Sequence, residues 1–342
     1  MSLSRTMLSV RFHQTGGPEV LRVETLARPE PQKGEVIVRV LAAGVNYADL
    51  VRRRGDHYPV PTPLPFNPGC EFAGIIEDCG EGVDRSRIGE SVIGANIQGG
   101  AYADYIAVEA KTLMPWFEGL SLEQAAMLPI QGLTAYLALT DAGMLTKNDT
   151  VFVQGATGGV GSLIVRIAKA LGAKRVIAGV GHESKIRLAL AAGAEAVVDY
   201  SKSDWVDALR AASGGLGVDL VMDATSGGIL ERGIDCLVPN GRAVVYGHAA
   251  PTDNPVNVTR LLEGNLRVTG FFLGYYHVNR PDIVVAALKS LEDLIKRGEL
   301  DLVPAKVLPF AKAEEAHRLM EQRNSEGKII LVPSNRMEDQ NG

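Results

Sequence analysis

Three cysteines in 342 residues, Cys70, Cys79 and Cys236, are too few and too scattered for a disulfide framework, which fits a reducing compartment. No apolar run approaches the roughly twenty residues that a membrane span needs. The N-terminus carries no apolar signal segment either, so a soluble, cytoplasmic protein is expected. Basic tracts are missing apart from Arg52, Arg53 and Arg54, and the net charge is only −5, a balance that argues against nucleic acid as a partner. The arginine triplet reads as a solvated face, with attraction of an anionic substrate as the alternative. Internal repeats and low-complexity stretches are absent. With 46% hydrophobic and 22% charged residues the composition is ordinary for a globular protein, and the length favours two domains over one. Residues 1–3 read as a cloning remnant and 336–342 as a frayed tail.

What is present centres on the run from Val151 to Ala173: an apolar strand, a turn holding Gly155, Gly158, Gly159 and Gly161, then an amphipathic helix with Val160, Ile164, Ile167, Ala168 and Leu171 at helical spacing. Gly155, Gly158 and Gly161 form GxxGxxG. A helix that starts at such a turn presents unpaired backbone N–H groups and the positive end of its dipole, which suits a pyrophosphate. One glycine permits the turn, one admits phosphate oxygens to the backbone, and one allows close packing of helix on strand. The signature predicts a dinucleotide site that includes Thr157 and Val160.

From Leu8 to about Met114 short alternating strands are divided by Gly and Pro, which predicts a compact β-rich domain. Ser121 and Gln124 form a capping box for a short helix that Pro129 interrupts. Beyond Asn148 strands and helices alternate through TVFVQ, RVIAGV, AEAVVDY, VDLVMDA, RAVVYG and LRVTGFFL. Six apolar strands with intervening helices predict an α/β fold, a doubly wound parallel sheet whose ligand lies beyond the carboxyl ends of the strands. That rim carries Gly155 to Gly161, Thr225, Gly247 and Phe271. A helix from Pro281 to Gly298 follows, and the segment 301–333, too small to bury a core alone, should return to the first domain. Met127, Met144 and Met320 read as core residues.

The succession AAGVNYADLVRRRGDHYP, PFNPGCEFAGIIEDCGEGV, QGLTAYLAL, VFVQGATGGVG, GRAVVYG and HRLMEQRNSEGKIILVP resembles the medium-chain dehydrogenase/reductase superfamily over nearly the whole chain. Within it the chain is most similar to the zinc-free quinone oxidoreductase branch that includes zeta-crystallin. The resemblance implies a six-stranded Rossmann domain at 129–273 and a GroES-like catalytic domain made of 1–128 and 274–342. In the zinc-dependent relatives the ligand positions fall at Asn46 and Cys70, and Asn is a poor zinc ligand. Their four-cysteine structural lobe is missing. Cys70 and Glu71 with His57 are a conceivable metal set; a buried, inert thiol is the simpler reading, and no metal is expected.

An NAD site usually places Asp or Glu at the end of the second strand to hold the ribose 2′-hydroxyl. Here the stretch reads Ala178, Gly179, Val180, Gly181, His182, with no carboxylate. Small residues leave room for a 2′-phosphate, and Lys185 and Tyr200 can donate to it. NADPH is therefore the expected cofactor, with His182 as a further contact and Glu183 as the dissenting charge. For the acceptor, Asn46 is the leading carbonyl-orienting amide, with Tyr47 and Tyr58 as phenol donors, and Asp49 braces the loop. The resemblance also places Gln131, Thr134, Gly247, His248, Phe271, Phe272 and Leu273 against the nicotinamide end, and lets Lys328 reach the cofactor. The branch often has a tyrosine where this chain has Val51, and one extra residue stands between Gly55 and Tyr58.

Together these features imply a hydride transfer from NADPH to a quinone or related α,β-unsaturated carbonyl compound. The partners expected are that small molecule and a second copy of the chain, through the edge strand LRVTGFFL. A zinc-free enoyl-thioester reductase, a zinc alcohol dehydrogenase and a non-catalytic NADPH-binding protein remain open.

Overall fold

The computed structural model describes residues 5–249 and 256–334; the expectations for residues 1–3 and 336–342 lie outside them. Two compact units are present, one of residues 1–130 with 302–342 and one of residues 131–301. None of the described helices is long and apolar enough to cross a membrane.

The first unit is built round the ten-residue strand Glu35–Gly44, most of whose residues are buried. Its length lets it pair antiparallel with Glu71–Cys79, Tyr105–Glu109 and Lys328–Val332. The sheet continues through Ser91–Ala95 to Met114–Pro115 on one side and through Pro304–Pro309 on the other. Val36, Val38 and Val40 pack with Phe12, Phe66, Phe72 and Ile76 in the core of this unit. As the pattern predicts, the segment after 301 returns here, with Ile330 opposite Gly44 and Leu331 opposite Ala43. That register sets Lys328 beside the end of the central strand. Ser121 and Gln124 do form the capping box, each bonding to the other's backbone N–H.

The second unit is a six-stranded parallel sheet in the order Ala196–Asp199, Arg175–Val180, Thr150–Val153, Val218–Asp223, Leu237–Val245, Arg267–Gly270. The first strand in sequence is central, the arrangement of two mononucleotide-binding halves. All four residues of Thr150–Val153 are buried, as an inner parallel strand requires. Helix Gly159–Ala170 buries Leu163, Ile164, Ile167 and Ala168.

The structure departs from expectation in three places. The run LRVTGFFL is a strand only over Arg267–Gly270, and Leu273 opens a helix to Asn279; a short apolar run does not distinguish a strand from a buried helical turn. Helix Pro281–Lys296 packs on Leu133–Leu137 and Leu273–Asn279, so the seam between the units falls at 301/302. Met144 is 48% exposed with φ +47, a turn residue, whereas Met127 is buried.

Helix Ala313–Glu321 buries His317 completely, edge-on to the Tyr102 ring at 6.1 Å. Burial first, then the Arg53 charge, pushes this imidazole down to about 3. Between that value and the ordinary 6.5 the unfolded chain binds a proton that the folded chain does not. The contribution is whole above 6.5 and lost as pH falls towards about 3. The stability advantage of wild type over His317→Leu should therefore shrink by up to about 1.4 kcal/mol per pH unit between about pH 6.5 and pH 5. Calorimetric Tm values that run parallel in the two proteins across this range would refute the assignment.

Candidate active site

The glycine turn of the second unit has the geometry its spacing predicts. Gly155 has φ +62, a left-handed backbone that a side chain would strain. A Cβ on Gly161 would collide with the carbonyl oxygen of Gly155, so the helix can close onto the turn only with glycine there. Gly158 caps helix Gly159–Ala170 without a side-chain acceptor. Gln131 lies against Gly159, where any Cβ would collide with its amide. Its side-chain oxygen is buried and accepts no hydrogen bond among the described residues. An orphaned acceptor of this kind beside a helix start calls for a donor from a ligand or water. Thr134 and Thr157 are buried nearby in the chain, and Val160 is half-buried.

At the end of the second strand, the Tyr200 ring lies against Gly179 and Gly181; a Cβ on Gly181 would stand 3.1 Å from the ring and 3.4 Å from the phenol oxygen. His182 caps the turn Glu183–Lys185, accepting from the Ser184 N–H at 3.1 Å through Nδ1. The neutral imidazole therefore carries its proton on Nε2. Lys185 is half-buried. Glu183, the dissenting carboxylate, stands 4.0 Å from Lys202.

The rim after the fourth strand holds a feature that sequence reasoning missed. Ser226 has φ 57 and ψ −163, a region that is essentially glycine's and costs about 1–3 kcal/mol. Buried Asp223 holds it there, accepting from the Ser226 N–H at 3.0 Å, the Thr225 N–H at 3.1 Å and the Thr225 hydroxyl at 2.6 Å. Burial raises the Asp223 pKa, and those bonds oppose the shift. The Ser226 hydroxyl donates to the Gly247 carbonyl at 3.3 Å. A Cβ on Gly247 would press on Ala224 at 2.9 Å. Ala224 and Ser226, on either side of Thr225, thus meet Gly247, and the next residue, His248, is exposed. Phe271 and Leu273 are buried and Phe272 is exposed, and the Phe271 ring lies 4.9 Å from that of Tyr276. The signal for Asp223 and Ser226 was the run Asp-Ala-Thr-Ser after an apolar strand, a turn-forming composition.

In the first unit Asn46 precedes helix Tyr47–Arg54 and gives its backbone N–H to Asp49 at 2.9 Å. Asp49 also accepts from the Gly69 N–H and the Tyr102 hydroxyl, the bracing role expected of it. The Asn46 amide turns inward. Its Nδ2 donates to Glu71 at 2.9 Å, with longer contacts to the Gly44 carbonyl at 3.3 Å and Cys70 Sγ at 3.4 Å. Its Oδ1 accepts from Lys328 Nζ at 3.0 Å. Lys328 also donates to the Val45 carbonyl at 2.9 Å and pairs with Glu71, whose second oxygen takes the Ile130 N–H at 2.8 Å. Neither charged side chain of that pair is exposed at all. Cys70 is buried and its thiol is pushed well up by burial, then by Asp49 and Glu71.

Two expectations are corrected here. Every N–H of Lys328 ends on an acceptor of its own unit, so it is a structural cation and not a cofactor contact. The arginine triplet is not a solvated face. Arg52 is buried between the Tyr58 and Phe66 rings and bonds Thr62 and the carbonyls of Pro61 and Ile97. Arg53 is buried and bonds the Gly16 carbonyl and Glu321. Tyr58 is half-buried, its phenol pKa raised by burial. Tyr47 packs on the core, and its hydroxyl accepts from Arg54 at 3.2 Å.

Residues 32–118 match the family described as alcohol dehydrogenase GroES-like domain, and residues 159–290 match zinc-binding dehydrogenase. Quinone oxidoreductase 1 of Escherichia coli is 34% identical over 329 residues, 95% of this chain and 99% of its own. The chain belongs to the medium-chain dehydrogenase/reductase superfamily, in its quinone oxidoreductase branch. A 2-haloacrylate reductase from a Burkholderia species is 33% identical over 96% of this chain and 99% of its own length. The crystal structure of Escherichia coli quinone oxidoreductase complexed with NADPH superposes with a TM-score of 0.88 at 32% identity, covering 95% of this chain and all of that one.

The family's zinc can be tested on the donors present. Among the described residues no three of His, Cys, Asp and Glu form a metal-holding group. Asn46 turns its oxygen to the Lys328 ammonium and its Nδ2 to Cys70, and a resident ammonium there repels a divalent cation.

Removing one partner of the Glu71–Lys328 pair should destabilise the first unit. Glu71→Gln leaves a buried ammonium without its counter-charge, at a cost of about 3–5 kcal/mol. Urea denaturation should show this as a lowered midpoint, and a midpoint within error of wild type would refute it.

Proposed function

We propose that this chain is a zinc-independent reductase that moves a hydride from NADPH to a quinone or a related α,β-unsaturated carbonyl compound. The observation that carries the reading is the end of the second strand, where residues 178–182 hold no carboxylate and the Tyr200 ring lies against Gly181. Nicotinamide supplies the hydride when the cofactor is bound. The first-turn N–H groups after Gly158 hold the pyrophosphate, and the Gln131 amide binds beside them. Lys185 and Tyr200 donate to the 2′-phosphate, with the Nε2–H of His182 as a third donor. The turn 223–226 and the segments at Gly247 and Phe271 form the support for the nicotinamide end.

In the first unit the Asn46 amide orients the acceptor's oxygen, and Tyr47 and Tyr58 shape its surroundings. No zinc ion is required, because a quinone accepts hydride to give a delocalised anion that needs no strong acid, and an enone takes its proton at carbon from solvent. The names of the relatives support both classes: one acts on quinones and one on a haloacrylate, a conjugated acid.

Oxidation of NADPH across small quinones, ortho-quinones, enones and enoyl-CoA esters tests the reading. Turnover of quinones or enones is expected, and NADPH binding without any turnover would overturn it. Lys185→Ala should raise KM for NADPH by about ten- to a hundredfold, the worth of a charge-assisted bond of ~1.5–3 kcal/mol, while NADH is changed far less. Equal losses for both cofactors would remove the phosphate assignment. We also propose a homodimer through the sheet edge at Arg267–Gly270, which among the described strands pairs with Leu237–Val245 on one side only. Sedimentation at twice the 36.5 kDa chain mass is expected, and a monomer at micromolar concentration would refute it.

A further inference from the structure

The buried cation of the first unit is placed more strictly than an ion pair demands. Nζ of Lys328 sends its N–H groups to three different oxygens: the Val45 carbonyl at 2.9 Å, Asn46 Oδ1 at 3.0 Å, and Glu71 Oε1. The sulfur of Cys70 lies one hydrogen bond further on, 3.4 Å from Asn46 Nδ2. Gly44 leaves the room, since a Cβ there would press on Nζ at 2.7 Å. A carbonyl, an amide oxygen and a carboxylate converging on one point, with a thiol beside them, are the surroundings of a cation. The cation present is an amino-acid side chain.

We propose that Lys328 is the resident cation of this site, in the place where the zinc-dependent members of the family hold their metal, and that it acts through Asn46 as a positioning residue. The kinetic part rests on the function proposed above. The ammonium fixes the amide oxygen and Glu71 fixes one Nδ2 hydrogen, so the plane and the orientation of the amide are settled. The other Nδ2 hydrogen makes the longer, weaker bonds to the Gly44 carbonyl and Cys70 Sγ, and it is these that a carbonyl oxygen would replace. Positive charge at the amide oxygen makes that N–H a stronger donor. Where a metal would meet the substrate oxygen directly, here the charge reaches it through one amide.

Two measurements test this. Zinc content after dialysis should be near zero for wild type and for Asn46→Cys, whose site still holds the ammonium. Asn46→Cys/Lys328→Ala, refolded with zinc chloride, should retain about one equivalent on its two thiolates and Glu71. The proposal is overturned if Asn46→Cys takes up zinc with Lys328 intact, or if the double variant takes up none. The second measurement uses Glu71→Gln/Lys328→Met, which removes both charges and leaves no lone ion. It should fold by circular dichroism and bind NADPH within about threefold of wild type, while kcat falls about tenfold or more at unchanged KM for NADPH. An unchanged kcat overturns the positioning role. Should wild type reduce no quinone or enone, the proposed function fails, and the zinc titration still decides what Lys328 replaces.

Discussion

A fully buried carboxylate and ammonium, Glu71 and Lys328, tie together the parts of the first unit on which its chemistry depends. Isolated in a protein interior, either charge would be expensive; together, with an amide and two backbone groups completing their hydrogen bonds, they are tolerated. The pair exists because the strand Lys328–Val332 joins the sheet at the end of Glu35–Gly44, next to the loop that carries Asn46. Sheet register and site electrostatics are therefore one arrangement. A strand shifted by one residue would turn Lys328 to the opposite face and leave Glu71 without a counter-charge.

The second unit meets the opposite problem. Its ligand is anionic and comes from outside, so its polar groups are left open at the rim: uncapped N–H groups after Gly158, and an amide oxygen at Gln131 without a donor. The strained backbone at Ser226, held by three donors on Asp223, stiffens the same rim. One unit closes its charges inside a core; the other keeps them facing a guest.

Much of this was legible in the residues. GxxGxxG between an apolar strand and an amphipathic helix located the turn, and apolar runs of strand length located the sheet. The lack of a carboxylate over residues 178–182 could be seen because that determinant is local. What could not be read was where long polar side chains go. Arg52 and Arg53 look like a solvated stripe, yet carbonyls from distant loops receive them. Lys328 sits in an apolar strand, and nothing near it in sequence names Glu71 as its partner. The helix at Leu273 was hidden because its apolar residues continue those of the preceding strand.

The distance along the chain between these two charges has a bearing on how the molecule is made. Glu71 and Lys328 are separated by 257 residues. At about 5–20 residues per second, the carboxylate leaves the ribosome roughly ten to fifty seconds before the ammonium that neutralises it. Throughout that interval the N-terminal β-sheet lacks its closing strand, and by its end the inserted α/β unit has every strand it needs. Synthesis thus completes the nucleotide-binding half first, and the returning strands Pro304–Pro309 and Lys328–Val332 serve as the fastener for a structure begun near the other terminus.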